Sequence, residues 1–371
     1  MKNPQILDIY SDYLLASFSL VTATGLAQLL DNGYSHDQIS RFLAQGKFDQ
    51  KDYWQMVKKL IRKIESSMGI IAIDDTIEEK PHSTENEIIS WHWDHSKNRS
   101  IKGINILNFL YHNPSIGESG VSLPVAFEIV HKTEEYYNEK AKQVKRRSPV
   151  SKNQMVLDRL RTLTELNKVQ YRYVTWDTWF SAKNNFMFVH HDLKKYFVAA
   201  MKSNRHVALS EEDKRQGKFH RLEELEFLPN QRMSVWLKGL DFPVHLIKQV
   251  FTNQDGSKGE LYLVTNDLNL TQDDISAIYE KRWNVEVFHK SLKNNAKLDK
   301  SPTKYEVTQS NHIFASMIAM CKLEMLKLKE NANHFALKSR LYLKALQASF
   351  NELQRMKEYN ATIIQIDVAK G

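Results

Sequence analysis

The stretch Met68-Gly69-Ile70-Ile71-Ala72-Ile73-Asp74-Asp75-Thr76 decides how this chain is read. It is a short, continuous apolar run that ends in two acids, the pattern of a buried strand in an α/β sheet. A second stretch, Tyr171-Arg172-Tyr173-Val174-Thr175-Trp176-Asp177, repeats the form of a strand closed by an acid. Acids commonly cap strands, so one such end means little. In α/β sheets, however, ligands and metals sit at strand ends. Two acidic strand ends, with a further acid on a later helix, make a three-carboxylate set suited to a hard divalent cation such as Mg2+. Two such ions about 4 Å apart clamp the attacking and leaving oxygens of an in-line phosphoryl displacement.

Outward from these strands the chain falls into five regions. Residues 1–66 read as helical. Ser35-His36-Asp37-Gln38 has the form of a capping box and opens a periodic segment with Ile39, Phe42 and Leu43. Beyond Gly46 a second helix runs through Tyr53, Met56, Val57, Leu60, Ile61 and Ile64, with Lys58, Lys59, Arg62 and Lys63 on its exposed side. Helix, short turn and basic helix suit a DNA-binding region. Residues 67–202 hold the first part of the core. A polar loop (78–99) leads to strands over 103–111 and 121–131, a helix over 151–167, the Asp177 strand, a helix over 181–190 and a strand over 196–201. Residues 203–262 are largely polar, with turn signals at Pro229-Asn230 and 253–256 and strand-like stretches over 233–237 and 244–251. They read as a β-rich insertion. Residues 263–300 resume the core with one strong helix, 273–293, capped by Thr271-Gln272-Asp273-Asp274. Residues 301–371 read as mostly amphipathic helix.

Composition narrows the chemistry. The 371 residues include 52 Lys and Arg against 44 Asp and Glu, a net charge of +8 that favours a polyanionic partner such as nucleic acid. The densest basic run is Lys140, Lys142, Lys145, Arg146 and Arg147. The single cysteine, Cys321, forms no internal disulfide or cysteine zinc cluster, so the site chemistry rests on carboxylates, His or hydroxyls. No apolar stretch approaches the roughly 20 residues of a membrane span. The first residues lack the pattern of a signal peptide, and the expectation is a cytoplasmic protein with no membrane partner. No glycine motif of the P-loop or dinucleotide type points to ATP or NAD. His92-Trp93-Asp94-His95 and His190-His191-Asp192 lack partners at a recognised zinc spacing.

On the 273–293 helix, Tyr279, Arg282, Glu286 and Lys293 share one face, and Ile278, Val285, Phe288 and Leu292 form the adjoining apolar face. Taken alone, an Arg–Glu pair four apart is a routine surface feature. The full order Asp…Asp…Tyr-x-x-Arg-x-x-x-Glu-x-x-x-x-x-x-Lys is far more restrictive.

Together, Ile73-Asp74-Asp75-Thr76, Thr175-Trp176-Asp177-Thr178-Trp179-Phe180-Ser181 and the Tyr279–Lys293 block resemble the three blocks of a bacterial insertion-sequence transposase. The group is the DDE transposases with the Tyr-Arg-Glu-Lys signature, the IS-four-like superfamily, and the likeness covers about residues 68–295. It implies an α/β fold: a ribonuclease H-like mixed sheet flanked by helices, interrupted by a β-rich insertion, with helical N- and C-terminal regions. The 109 residues from Asp177 to Glu286 accommodate that insertion.

The resemblance also implies roles. Asp74 or Asp75, with Asp177 and Glu286, would hold two Mg2+ ions, for which Mn2+ can substitute. Tyr279, Arg282 and Lys293 would contact DNA phosphates near the cleaved end. Two adjacent aspartates fill the first block, and consecutive strand residues face opposite ways, so only one points into a metal site. The Asp-x-Thr form favours Asp74; a Glu-Asp-Thr form favours Asp75. Trp236, the one tryptophan of residues 203–262, is the candidate to receive a flipped base. The partners implied are the element's terminal inverted repeats and target DNA, bound by a homodimer. Two other classes share part of the pattern. A ribonuclease H-like nuclease or resolvase lacks the Tyr-Arg-Glu-Lys helix and the insertion. A transposase-derived DNA-binding protein would have lost an acid.

Overall fold

The apolar run Ile70–Ile73 is a strand, but the strand does not stop at its acids. In the computed structural model β1 spans Ile70–Glu79, carrying Asp74 and Asp75 in its middle. The structure describes residues 3–31, 33–94, 97–139, 142–226, 231–253 and 255–368, with side chains described to residue 357. His95, Lys140, Gln254 and the Pro229-Asn230 turn lie outside the described residues.

Ahead of β1 come α1 (Pro4–Ala16), α2 (Ala23–Leu29), α3 (His36–Ala44) and α4 (Gln50–Ile64). The expected box starts α3: Ser35 accepts the Gln38 N–H at 3.2 Å and the Gln38 side chain accepts the Ser35 N–H at 2.8 Å. On α4, Tyr53, Val57, Ile61 and Ile64 are buried, and Lys58, Lys59, Arg62 and Lys63 are exposed.

After β1 follow β2 (Ile89–Asp94), β3 (Arg99–Asn113), β4 (Val121–Ile129), β5 (Glu134–Asn138) and β6 (Gln143–Arg147). The region expected to be a polar loop thus contains a strand: β2 buries Ile89, Ser90 and His92 and leaves Trp91 and Trp93 outward, a short alternation hidden among polar neighbours. The basic run also departs from a loop, because Lys145, Arg146 and Arg147 lie on β6 of a two-stranded hairpin with β5. Next come α5 (Lys152–Arg161), β7 (Tyr173–Trp176), α6 (Lys183–Met187) and β8 (Tyr196–Met201). The stretch 203–262 is β-rich as expected. It supplies β9 (His206–Ala208), α7 (Glu211–Arg215), β10 (His220–Arg221), β11 (Arg232–Leu237), β12 (Val244–Thr252) and most of β13 (Lys258–Thr265).

Among the described residues eleven strands join one mixed sheet in the order β10-β9-β11-β12-β13-β8-β7-β1-β3-β2, with β4 also on β3. The segment read as an insertion therefore extends the main sheet, since β13 pairs with β8. β7 runs parallel to both β1 and β8; the other pairings are antiparallel.

The single helix expected over 273–293 is two: α8 (Gln272–Glu280) and α9 (Trp283–Asn294). Three-residue turns replace α-helical bonding at the break, Arg282 N–H to Tyr279 O at 2.9 Å and Val285 N–H to Arg282 O at 2.9 Å. The break lets α8 lie on β8 and β13 while α9 crosses to β1 and β3.

The C-terminal region holds α10 (Glu306–Glu330) and α11 (His334–Val368). Against the amphipathic expectation, α10 is buried on nearly every side from Thr308 to Cys321. Its polar residues hold the N-terminal helices: Asn311 donates to Leu43 O and Gly46 O, both at 2.8 Å, and accepts the Phe48 N–H at 3.0 Å. Replacing Asn311 by Ala strands those three backbone groups, with an expected cost of about 2–4 kcal/mol. Urea unfolding of the variant, followed by probes in 1–66 and in the sheet, should show one shared and earlier transition. A separate N-terminal transition would mean that residues 1–66 fold alone.

Candidate functional site

Register builds the site. Ile70 pairs with Tyr173 and Ile73 with Trp176 in the parallel ladder, so Asp74 and Asp177 stand side by side where that ladder ends. The pleat then separates the two acids of β1. Ile70 and Tyr173 belong to the apolar cluster under α8, with Ile275 and Tyr279. Asp74 and Asp177 follow them at even steps and share that face. Asp75 falls on the other face, where its Oδ2 accepts from Asn105 and lies 3.0 Å from Lys152 Nζ.

The α8–α9 break delivers the remaining groups. Arg282 is only 7% exposed and reaches between two acids, with Nη1 3.6 Å from Asp74 Oδ2 and Nη2 3.1 Å from Glu286 Oε1. The rings of Tyr279 and Trp283 flank its guanidinium at 5.6 and 5.0 Å. Its Nε is buried with no hydrogen-bond partner. Tyr279 is buried, whereas the Glu286 side chain is 43% exposed. Lys293 donates from Nζ to Ile77 O at 2.9 Å. Asp74, Asp75, Asp177, Trp179, Lys152 and Lys293 line one cleft of about 740 Å³.

Charge is crowded here. Burial, then the charges of Asp177 and Asp75, push the Asp74 carboxyl up to about 7, against the pull of Arg282. Asp177 is also raised, first by burial, although it accepts the Trp179 N–H at 2.9 Å. Behind them His289 is buried and held neutral, its pKa lowered to about 3 by burial and Lys293, with its ring 3.0 Å from Asn108 Nδ2. Asn108 is the cross-strand partner of Asp74. Asn105, Asn108 and Lys152 had no place in the sequence reading. The signal for the two asparagines was present, as polar residues inside an otherwise apolar strand.

Oxygen donors with surplus negative charge and an exposed glutamate suit a hard divalent cation. The triad is not drawn tightly together. The one trio of carboxylate and imidazole donors within 4.8 Å of one another, among the described residues, is Glu87, His131 and Glu306, where Lys47 already pairs with Glu306. Trp236 sits half-buried on β11 with Lys214 Nζ 4.1 Å from its ring, and is not in the cleft lining. His92 is buried beside Ser90. No helix among the described residues is long and apolar enough to cross a membrane.

A large mixed sheet flanked by helices, with acids gathered where its parallel strands end, is the fold class of the DDE nucleases. Residues 4–222, more than half of the chain, match the DDE superfamily endonuclease family, and residues 141–322 match the transposase DDE domain. The chain belongs to this family as a DDE transposase. No curated protein matches it. Family membership brings with it DNA as substrate and use of a divalent metal.

The Asp74 shift has a consequence for stability. The carboxyl titrates near 3.8 in the unfolded chain and about 7 in the fold. The folded state therefore binds the extra proton, and stability falls as pH rises between those values. Asp74→Asn removes the charge, so in EDTA it is expected to stabilise the fold above pH 7 by on the order of 1–4 kcal/mol. The gain should vanish near pH 4. Thermal melts at both pH values check this, and a variant less stable than wild type at pH 8 would contradict it.

Proposed function

We propose that this transposase cuts DNA at the ends of an insertion sequence and joins the freed strand to a target by metal-assisted phosphoryl transfer. The observation that carries the reading is the surplus of negative charge at Asp74 and Asp177, facing Arg282 and Glu286. In this reading the strand order β4-β3-β1-β7-β8 is a ribonuclease H-like core, residues 203–262 are its β-rich insertion and the Tyr279–Lys293 block is the IS-four-like signature.

Asp74, Asp177 and Glu286 would hold two Mg2+ ions, with Mn2+ able to substitute. When bound, such ions polarise phosphate and lower the pKa of water at an in-line displacement. Asp74 is preferred over Asp75, which is engaged by Asn105 and Lys152 on the opposite face. Both of these contacts fix the strand that carries Asp74. Arg282, Tyr279 and Lys293 position DNA phosphates rather than perform chemistry. A phosphate oxygen is the acceptor that the orphaned Arg282 Nε lacks. The exposed Lys58, Lys59 and Lys63 of α4 add non-specific DNA affinity. Two element ends are paired by a homodimer, and the cytoplasm, where the element's DNA resides, is the compartment of action.

The test uses purified protein, Mg2+ and DNA carrying the gene's own flanks, beside Asp177→Asn and Glu286→Gln. Wild type should nick at discrete flanking ends. Each variant should lose about a thousand-fold in cleavage rate, several kcal/mol of transition-state stabilisation, while still binding DNA. Binding without cleavage by wild type, or cleavage retained in both variants, would overturn the proposal.

A further inference from the structure

The acidic cleft continues beyond its carboxylates. His92, Trp93 and Lys132 line it and also line a second cavity of about 440 Å³. The two cavities adjoin at these residues and are together called the trough, from Asp177 past β2 to the β5–β6 hairpin. At the far end the wall carries Trp91, Tyr136, Lys145 and Arg146.

Three indoles on this wall keep about half of their surface in solvent: Trp91 at 54%, Trp93 at 50% and Trp179 at 51%. Large aromatic side chains are stabilised by burial, and a row of them left open along a concave surface marks a binding face. Trp91 and Trp93 are two residues apart on β2 and alternate with buried neighbours, so they rise from one face with Cα atoms about 6.8 Å apart. That spacing is close to twice the 3.4 Å stacking rise of a nucleic-acid strand. Cations interleave with the rings. Lys132 is held against β2 by donating to Trp91 O at 2.6 Å, and Lys145 and Arg146 stand across from it on β6. Rings and cations alternating along a groove hold single strands, because every base has a stackable face and every step a phosphate. A paired duplex keeps those faces covered.

We infer that the trough binds an unpaired DNA strand leading away from the carboxylates. Trp91 and Trp93 stack on its bases, and Lys132, Lys145 and Arg146 meet its phosphates. Resting on the DNA reading of the cleft, the inference adds the form of the substrate: the strand is melted where it crosses β2.

The experiment measures binding of full-length protein to fluorescently labelled oligo-dT and to a duplex of arbitrary sequence, in EDTA and low salt, by anisotropy. Trp91→Ala and Trp93→Ala should each weaken oligo-dT binding by about 5- to 100-fold and duplex binding by less than about 2-fold. Trp93→Phe should retain most of the oligo-dT affinity. Both indoles are half-exposed, and circular dichroism verifies that the variants fold. Equal losses on the two DNA forms, or undiminished oligo-dT binding by the Ala variants, would overturn the inference. Wild type that binds duplex but not oligo-dT would overturn it and leave the transposase reading intact. Binding to neither form would overturn both.

Discussion

The parallel pairing of β1 with β7 is the constraint that the rest of the structure answers. Once Ile73 stands opposite Trp176, Asp74 and Asp177 must be neighbours, and both are largely withdrawn from water. Within the sheet the Asp75 N–H, donating to Asp74 Oδ1 at 2.8 Å, offsets only part of that repulsion. Relief comes from Arg282, carried to the acids by a helix that breaks so that one half follows β8 and β13 and the other follows β1 and β3. An unbroken helix would keep to one direction over a twisted sheet. The arginine is only partly satisfied where it rests, with a buried Nε that finds no acceptor. A site built this way holds charges that the fold itself only partly neutralises, at a cost in stability.

Local signals in the sequence were reliable wherever one short segment decides its own conformation. The Ser35–Gln38 box, the Ile70–Ile73 run and the strand at Tyr196–Met201 all form as their residues dictate. The break at Lys281–Arg282 was not legible, because neither glycine nor proline marks it. Nor was the burial of α10. Asn311 and His312 look like an exposed polar face until the N-terminal helices arrive to bond them, and the buried Gln309 donates to Thr303 O. β2 was hidden because two outward tryptophans and a buried histidine invert the usual alternation.

The acids themselves were fully legible as types and as an order along the chain. Which of Asp74 and Asp75 faces the glutamate helix was not, since the pleat assigns faces only once the partner strands and the covering helices are known. The transposase family match covers the sheet strands up to β10 in one case and the stretch through most of α10 in the other. It does not choose between the two aspartates.

The bonds that α10 makes reach far back along the chain. The Tyr10 hydroxyl and His312 Nδ1, 3.0 Å apart, are separated by 302 positions, and Asn311 closes on Leu43 across 268. Chains emerge from the ribosome at about 5–20 residues per second, N-terminus first. The opening helices therefore wait many seconds for the partner that covers them. α9, which carries Glu286, also leans on α10, so the acidic cleft closes late in synthesis. Synthesis halted before α10 would leave the acids on an unfinished scaffold, so the order of the chain delays the assembly of the cleft.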